Sequence, residues 1–285
     1  MDLLVALRDA SERFARAGVP TPGVDAEILM ASLLEVSRGA MLAQAQTGKA
    51  LDPIQLERWE ALVSRRESRE PLQHITGTAP FMDFEVSVGE GVFVPRPETQ
   101  ALVEAAMTHA QSIAVGENGL HILDLCSGSG VIAISLARAV AHAHVVALEA
   151  SDSALPYLKR NVAELAPHVE VLHGKVTDLD RGHPLVDMIL ANPPYVPLAE
   201  VPNEPEVANF DPSMALFGGE DGLDVVRDIV DYALGALRSG GYLAIEHSNL
   251  QGAAIREILN AEGFFGVATE KDFVDRERFT RGFRA

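Results

Sequence analysis

Asn192-Pro193-Pro194-Tyr195 is the stretch of this chain best suited to grip a planar NH2 group. The residues before it, Val186 to Ala191, are few and apolar, as in a buried strand. Those after it, up to Gly219, are crowded with prolines and read as a long loop. Asn192 is therefore expected at the carboxyl end of a strand, where open α/β sheets bind their ligands. Two successive prolines remove two N–H donors and fix two φ angles, while their carbonyls stay free to accept. An amide nitrogen is a poor nucleophile because its lone pair is delocalised. Asn192 Oδ1 and the Pro193 carbonyl would take its two hydrogens and make loss of delocalisation less costly, Pro194 would stiffen the turn, and Tyr195 would stack on the substrate plane. A methyl on a positively charged sulfonium could then be attacked in line. Positioning of two reactants supplies up to ~7–11 kcal/mol in ideal cases, so no dedicated strong base is required. The bland alternative is a proline-rich turn with a capping Asn.

A second group is Asp124-Leu125-Cys126-Ser127-Gly128-Ser129-Gly130, between an apolar strand and a helix. Gly128 and Gly130 permit a tight turn and close approach of the backbone by a ligand, and the helix start offers free N–H groups. Gly128-x-Gly130-x-x-Ala133 also fits a dinucleotide fingerprint. Glu149 closes the next strand, nineteen residues after Gly130, where a carboxylate can accept both hydroxyls of a ribose. NAD and S-adenosylmethionine satisfy this loop equally well. The clamp at Asn192 favours S-adenosylmethionine. Asp124 is expected to meet the cofactor's ammonium group directly or through water. Cys126 is expected to pack beside the loop, since no basic partner lies near it in sequence to make it a nucleophile. His142 and His144 lack a third ligand at metal-binding spacing. His247, after Glu246, is expected to be a hydrogen-bonded polar residue near the site.

The elements that must position these groups follow from periodicity. Residues 1–73 read as a helical unit. Leu3, Leu7, Ala10, Phe14 and Ala17 form one stripe, Val24, Ile28, Ala31 and Leu34 a second after a turn at Pro20 to Gly23, and Leu56, Trp59, Leu62 and Val63 a third after the Asp52-Pro53 start signal. Arg65 to Glu70 reads as a solvated helix face, with partner docking as the sharper alternative. Residues 74–95 read as a β-hairpin linker, with strands at Phe84 to Val88 and Val92 to Val94 around a turn at Gly89 to Gly91. A helix through Leu102, Val103, Ala106 and Met107 and a turn at Gly116 to Gly119 follow. From His121 onward strands and helices alternate, which implies a mostly parallel sheet with helices on both faces, closed by two C-terminal strands.

The net charge is −18, which argues against a binder of phosphate backbone and for no direct nucleic-acid contact. No apolar run reaches membrane-spanning length, the first residues lack the regions of a signal peptide, and the single cysteine forbids an internal disulfide. A cytoplasmic protein with no membrane association and no metal site is the expectation, and a monomer is the expected state.

With these residues in hand, the chain resembles the HemK-like family of protein-glutamine N5-methyltransferases that modify peptide chain release factors. Glu70-Pro71-Leu72-Gln73-His74-Ile75-Thr76-Gly77 resembles the family's linker motif and Phe93-Val94-Pro95-Arg96-Pro97-Glu98-Thr99 its second signature. Asp124 to Gly130 matches the cofactor loop, Asn192 to Tyr195 the substrate clamp, Phe210-Asp211-Pro212 with Gly219 to Gly222 the segment after it, and Gly240 to His247 the fifth-strand motif. The clamp alone is shared with adenine and cytosine amino-methyltransferases. The resemblance implies a Rossmann-like, seven-stranded class I methyltransferase sheet over residues 96–285, S-adenosylmethionine as cofactor, and a release-factor Gly-Gly-Gln tip as substrate, held in part by the helical domain. The sequence departs from the family at four places. Gln100 stands for a usual glutamate, Cys126 for a glycine and Glu149 for an aspartate. Lys175-Val176 stands where an acidic residue and an apolar one commonly meet the adenine, with Val176 still able to touch the ring and Asp178 a substitute acceptor. The rival readings are a methyltransferase for a ribosomal-protein glutamine, a nucleic-acid adenine amino-methyltransferase, an NAD-dependent oxidoreductase and a non-catalytic binding module.

Overall fold

The computed structural model describes residues 1–113, 119–180 and 185–285, so the turn expected at Gly116-Glu117-Asn118 lies outside the described residues. The chain divides into two compact units: Met1–Thr78 with Pro202–Phe210, and Ala79–Val201 with Asp211–Ala285.

The first unit holds α1 (Leu3–Arg16), α2 (Pro22–Leu33), α3 (Arg38–Gln46), α4 (Pro53–Glu67) and α5 (Leu72–Thr76). Asp52 starts α4 with a reciprocal cap: its carboxylate accepts from Gln55 N at 2.8 Å and Gln55 Oε1 accepts from Asp52 N at 3.1 Å. Leu3, Ala6, Leu7, Ala10 and Phe14 from α1 meet Trp59 and Val63 from α4 in one core. Three expectations need correction. Pro22 is the first helical residue of α2, so half of the expected turn is helix. The buried residues of α2 are Asp25, Ala26, Leu29, Met30 and Ala31, so Ala31 is buried as expected whereas Val24 is exposed. Helix α3 is an unforeseen element; only Met41 and Ala45 are buried on it, too few to make a stripe, although Ser37 caps it at Ala40 N.

Asp25 is buried because of Arg66, and this overturns the solvated-face reading of Arg65 to Glu70. Arg66 Nε reaches Asp25 Oδ2 at 2.7 Å, both side chains being 6% exposed. Arg66 Nη1 also reaches Glu206 Oε1 at 3.0 Å, and Arg69 binds the same carboxylate. Glu206 lies in the segment that leaves the other unit after Val201 and returns to it at Asp211. Within the helical unit, then, Arg66 and Arg69 of the basic run hold an internal acid cluster. Arg65, paired with Glu70, and Ser68 are surface-exposed in the expected way.

The second unit opens with a hairpin of β1 (Thr78–Phe81) and β2 (Phe84–Ser87). Residues 92–94, expected as the second strand, are not a strand, although Val92 and Val94 are buried. Their alternation marks burial against the core, and the hairpin turn is instead at Met82-Asp83, with Met82 at φ +50°. After α6 (Thr99–Ser112) come β3 (His121–Leu125), α7 (Val131–Ala139), β4 (His144–Glu149), α8 (Leu155–Leu165), β5 (Glu170–His173), a 3-10 turn (Val176–Asp178) and β6 (Val186–Ala191). The long loop expected after the clamp carries two short helices, α9 (Pro205–Phe210), which belongs to the helical unit, and α10 (Ser213–Leu216). The unit closes with α11 (Asp224–Ala236), β7 (Leu237–Glu246), α12 (Gly252–Ala261), β8 (Phe265–Lys271) and β9 (Glu277–Phe283).

The seven main strands are ordered β5-β4-β3-β6-β7-β9-β8, parallel from β5 to β7, with β9 antiparallel to both its neighbours. Successive side chains of a strand face opposite sides. Met188 and Leu190 accordingly join the core under α6, α7 and α8, while Ile189 and Ala191 join the core under α11 and α12.

Removing one partner of a buried ion pair costs about 3–5 kcal/mol, because the other charge is left stranded. Arg66→Met is expected to lower the denaturant midpoint followed by the fluorescence of Trp59, the chain's single tryptophan and a core residue of the helical unit. An unchanged midpoint would mean the acid cluster contributes no stability.

Candidate active site

Four strands bring the site residues into one row. Leu148 of β4 is in register with Leu125 of β3, Leu125 with Ala191 of β6, and Ala191 with Ile245 of β7. The next residue on each strand is Glu149, Cys126, Asn192 and Glu246. They sit side by side at the carboxyl edge, where β3 sends its connections to β4 on one flank and the later strands lie on the other.

The glycine loop is pinned from both sides. Cys126 has φ +61°, a left-handed conformation that glycine adopts without strain. This explains why a glycine is the family's usual residue there, and the structure accommodates Cys126 all the same. Ser127 N donates to Leu148 O at 3.0 Å and Gly130 N to Ser127 O at 2.7 Å. Glu149 Oε2 accepts from Gly128 N and Oε1 from Ser151 N, each at 2.7 Å. An ionised carboxylate has about four acceptor sites, so Glu149 retains capacity for a diol. Asp124 is fully buried; its Oδ2 accepts from Ala133 N at 3.1 Å, in the first turn of α7, and its Oδ1 has no partner. Burial pushes the Asp124 carboxyl up to about 7. The Cys126 thiol is also pushed up, chiefly by burial and then by Glu149 and Asp124, which suits packing and not nucleophilic attack. Ser129 is buried, and its carbonyl accepts from Asn161 Nδ2 at 2.9 Å. Asn161, on α8, also bonds both backbone groups of Ser87. Sequence reasoning missed it, since one polar residue inside a helix carries no pattern.

The clamp is equally constrained. Asn192 is partly buried, and its Nδ2 donates to Thr99 Oγ1 at 3.3 Å. Pro193 is buried and Pro194 half-buried. Burial pushes the Tyr195 phenol up to about 12, so its ring is a neutral surface. Gln251 Nε2 donates to Tyr195 O at 2.9 Å. A Cβ on Gly218 would collide with the Pro194 carbonyl, and one on Gly222, which sits at φ +76°, with the Tyr195 carbonyl. The glycines after the clamp therefore let a second backbone run close against it. Arg96 Nη2 reaches the buried Asp211 at 3.2 Å, joining the Pro-Arg-Pro-Glu-Thr signature to the segment after the clamp.

Val176 is buried in the core under α11 and opens the 3-10 turn. Asp178 Oδ2 accepts from Lys175 N at 2.8 Å, so this carboxylate already holds the turn together. His247 is fully buried and satisfied, by Thr280 Oγ1 at 2.8 Å and Ser248 O at 2.7 Å. His142 and His144 are exposed, and no metal-binding cluster exists among the described residues.

A parallel sheet with a glycine loop at its switch point, a carboxylate closing the next strand and an Asn-Pro-Pro-Tyr clamp beside them defines a class I methyltransferase domain. The fold of known structures agrees: a Thermus thermophilus 16S rRNA N2 methyltransferase, solved with AdoMet and guanosine, matches with TM-score 0.53 at 22% identity, covering 73% of this chain and 50% of that one. A Pyrococcus furiosus methyltransferase matches with TM-score 0.50 at 16% identity, covering 80% of this chain and 99% of that one. Residues 5–77 match the family model "PrmC N-terminal domain" and residues 98–204 "Methyltransferase small domain". The release factor glutamine methyltransferase of Streptomyces coelicolor is 41% identical over 100% of this chain and 99% of its own length. That of Mycolicibacterium smegmatis is 42% identical over 99% and 98%. The chain belongs to the release factor glutamine methyltransferase family.

Burial raises Asp124 from 3.8 to about 7, so the folded state binds this proton more tightly than the unfolded one. Its ionisation therefore lowers stability as pH rises from about 4 to about 7. The stability of the wild type relative to Asp124→Asn, measured by denaturant titration without ligand, is expected to fall across that window. A difference independent of pH would contradict the burial of an ionisable group here.

Proposed function

We propose that this chain transfers a methyl group from S-adenosylmethionine to the side-chain amide nitrogen of the glutamine in the Gly-Gly-Gln motif of peptide chain release factors. The observation that carries the reading is the register of β3 with β6, which sets the glycine loop and Asn192 on neighbouring strand ends. The full-length relatives bear the name of this activity.

The residues present fit the cofactor. The unpartnered, buried Oδ1 of Asp124 calls for a donor, directly or through water. The N-cap of α7 is Gly130, which has no side chain to cap it, so the N–H groups of its first turn other than Ala133 N, held by Asp124, are left for a ligand. Asp124, Cys126, Ser127, Gly128, Ser129 and Gly130 would form the cradle, Glu149 would take the ribose hydroxyls, and Val176 would face the adenine. Asn192 borders the same cradle from β6. Bound there, the cofactor supplies an electrophilic methyl carbon on a cationic sulfur.

On the substrate side, Asn192 Oδ1 and the Pro193 carbonyl accept the two amide hydrogens, Pro194 keeps the turn stiff and Tyr195 packs on the amide plane. Two acceptors drain density toward nitrogen and fix its direction of approach, so orientation does the work that a base would otherwise do. The amide nitrogen loses one proton to solvent once the new N–C bond exists. The chain acts on a protein in the cytoplasm, as a monomer, and without direct nucleic-acid contact, the last supported by its net charge of −18. No helix among the described residues is long and apolar enough to cross a membrane.

Incubation of a purified release factor with the enzyme and S-adenosylmethionine, read by mass spectrometry, is expected to add one methyl at the Gly-Gly-Gln glutamine. A release factor recovered unmodified, with another protein or a nucleic acid methylated instead, would overturn the substrate. Asn192→Ala is expected to keep cofactor affinity by calorimetry and to lose about a hundredfold or more in kcat. Undiminished turnover in that variant would remove the clamp from the chemistry.

A further inference from the structure

The fourth member of the row, Glu246, has no part in the chemistry described so far. It ends β7 and is 1% exposed. Thr99, 2% exposed at the start of α6, and Asn192, which follows Ala191 where Ala191 stands in register with Ile245, both lower the proton affinity of its carboxyl. Asn192 Nδ2 also donates to Thr99 Oγ1 at 3.3 Å. The nitrogen edge of the Asn192 amide is thus drawn toward Thr99 and Glu246, and its oxygen is on the other edge. Nothing in the shape of an amide enforces this choice, because its oxygen and nitrogen are nearly isosteric. An ionised carboxylate does enforce it, since it accepts and cannot donate. Were the amide turned over, its NH2 would face the NH2 of the substrate, donor against donor.

We propose that Glu246, together with Thr99, is the positioning residue that holds the Asn192 carbonyl oxygen toward the substrate amide. The proposal rests on the reading of Asn192 as the clamp and adds the group that sets its polarity. A buried carboxylate is costly unless it is paired and hydrogen-bonded. Glu246 Oε2 has no partner, so a charge at this place costs stability. The other groups facing Glu246 are Arg278 of β9, which lowers its proton affinity, and Glu98, ahead of α6, which raises it; the Tyr195 phenol feels the Glu246 charge in turn. Burial is the largest effect and pushes the carboxyl from 4.5 up to about 7. Protonated, Glu246 gains an O–H donor and no longer dictates which edge of Asn192 faces it. Activity that depends on this device is lost as pH falls through that value.

Two readouts test this. In the first, kcat for release-factor methylation is followed against pH. Wild type is expected to show an acid limb near pH 7. Glu246→Gln retains shape and an acceptor but can also donate; it is expected to lose the limb. Glu246→Leu is expected to lose on the order of tenfold to a hundredfold in kcat, with cofactor affinity and KM within about twofold. In the second, the side-chain NH2 of Asn192 is observed by NMR in protein labelled with 15N-asparagine, with no substrate present, and assigned by its absence from Asn192→Asp. Its shift is expected to titrate with Glu246 in wild type and to stop titrating in Glu246→Gln. Wild-type kcat in Glu246→Leu, or an Asn192 NH2 that titrates identically with and without the Glu246 carboxylate, would overturn the proposal. If the NH2 titrates as expected while no release factor is methylated, the orientation stands and the substrate reading falls.

Discussion

The register of four parallel strands is the constraint on which the rest of this structure depends. Leu148, Leu125, Ala191 and Ile245 stand abreast, so the residue that follows each one emerges at the same edge. Cofactor loop and clamp come from segments more than sixty residues apart in sequence, yet the sheet makes Cys126 and Asn192 neighbours. A slip of one residue between β3 and β6 would turn every inward side chain of β6 to the opposite core. Met188 and Leu190 belong to one core and Ile189 and Ala191 to the other, so two apolar layers enforce the alignment. Packing thereby fixes the distance on which the chemistry relies.

Around this edge the polar groups serve mostly to hold backbone still. Glu149 accepts from Gly128 and Ser151, Asn161 grips Ser129, Gln251 grips Tyr195, and Gly218 and Gly222 allow close contact behind Pro194 and Tyr195. Reaction at an amide nitrogen has little need of a strong base if both reactants are held, since orientation can supply up to about 7–11 kcal/mol. A stiff edge is what such a mechanism requires. The departures from family pattern respect it: Cys126 takes up the left-handed conformation of a glycine, and Glu149 occupies the strand end in place of a shorter acid.

The features readable from the chain were those set by local pattern. Apolar runs of strand length, glycines between strand and helix, and Asn192 after an apolar run all translate directly into the carboxyl edge, because strand direction and alternation are local properties. Features set by distant partners were not readable. Asp25 and Arg66 each resemble a surface residue, and only their pairing with each other and with Glu206 buries them. Val92 and Val94 alternate as a strand does, yet lie in no strand, because burial against the core shaped that alternation. Asn161, Thr99 and Glu246 act on loops far from them in sequence. Asn161 carries no local sign of it, and Thr99 and Glu246 stood out only as parts of family motifs.

The central claim is that one strand edge brings a methyl donor and a clamped amide together. Its most direct measurement is a crystal structure of the enzyme with S-adenosylhomocysteine and a release factor bearing the Gly-Gly-Gln loop. The account requires the ribose at Glu149, the sulfur beside the glycine loop, and the glutamine nitrogen within about 2.7–3.2 Å of both Asn192 Oδ1 and the Pro193 carbonyl oxygen. A glutamine side chain held elsewhere, or a cofactor bound away from the β3–β6 edge, would contradict it.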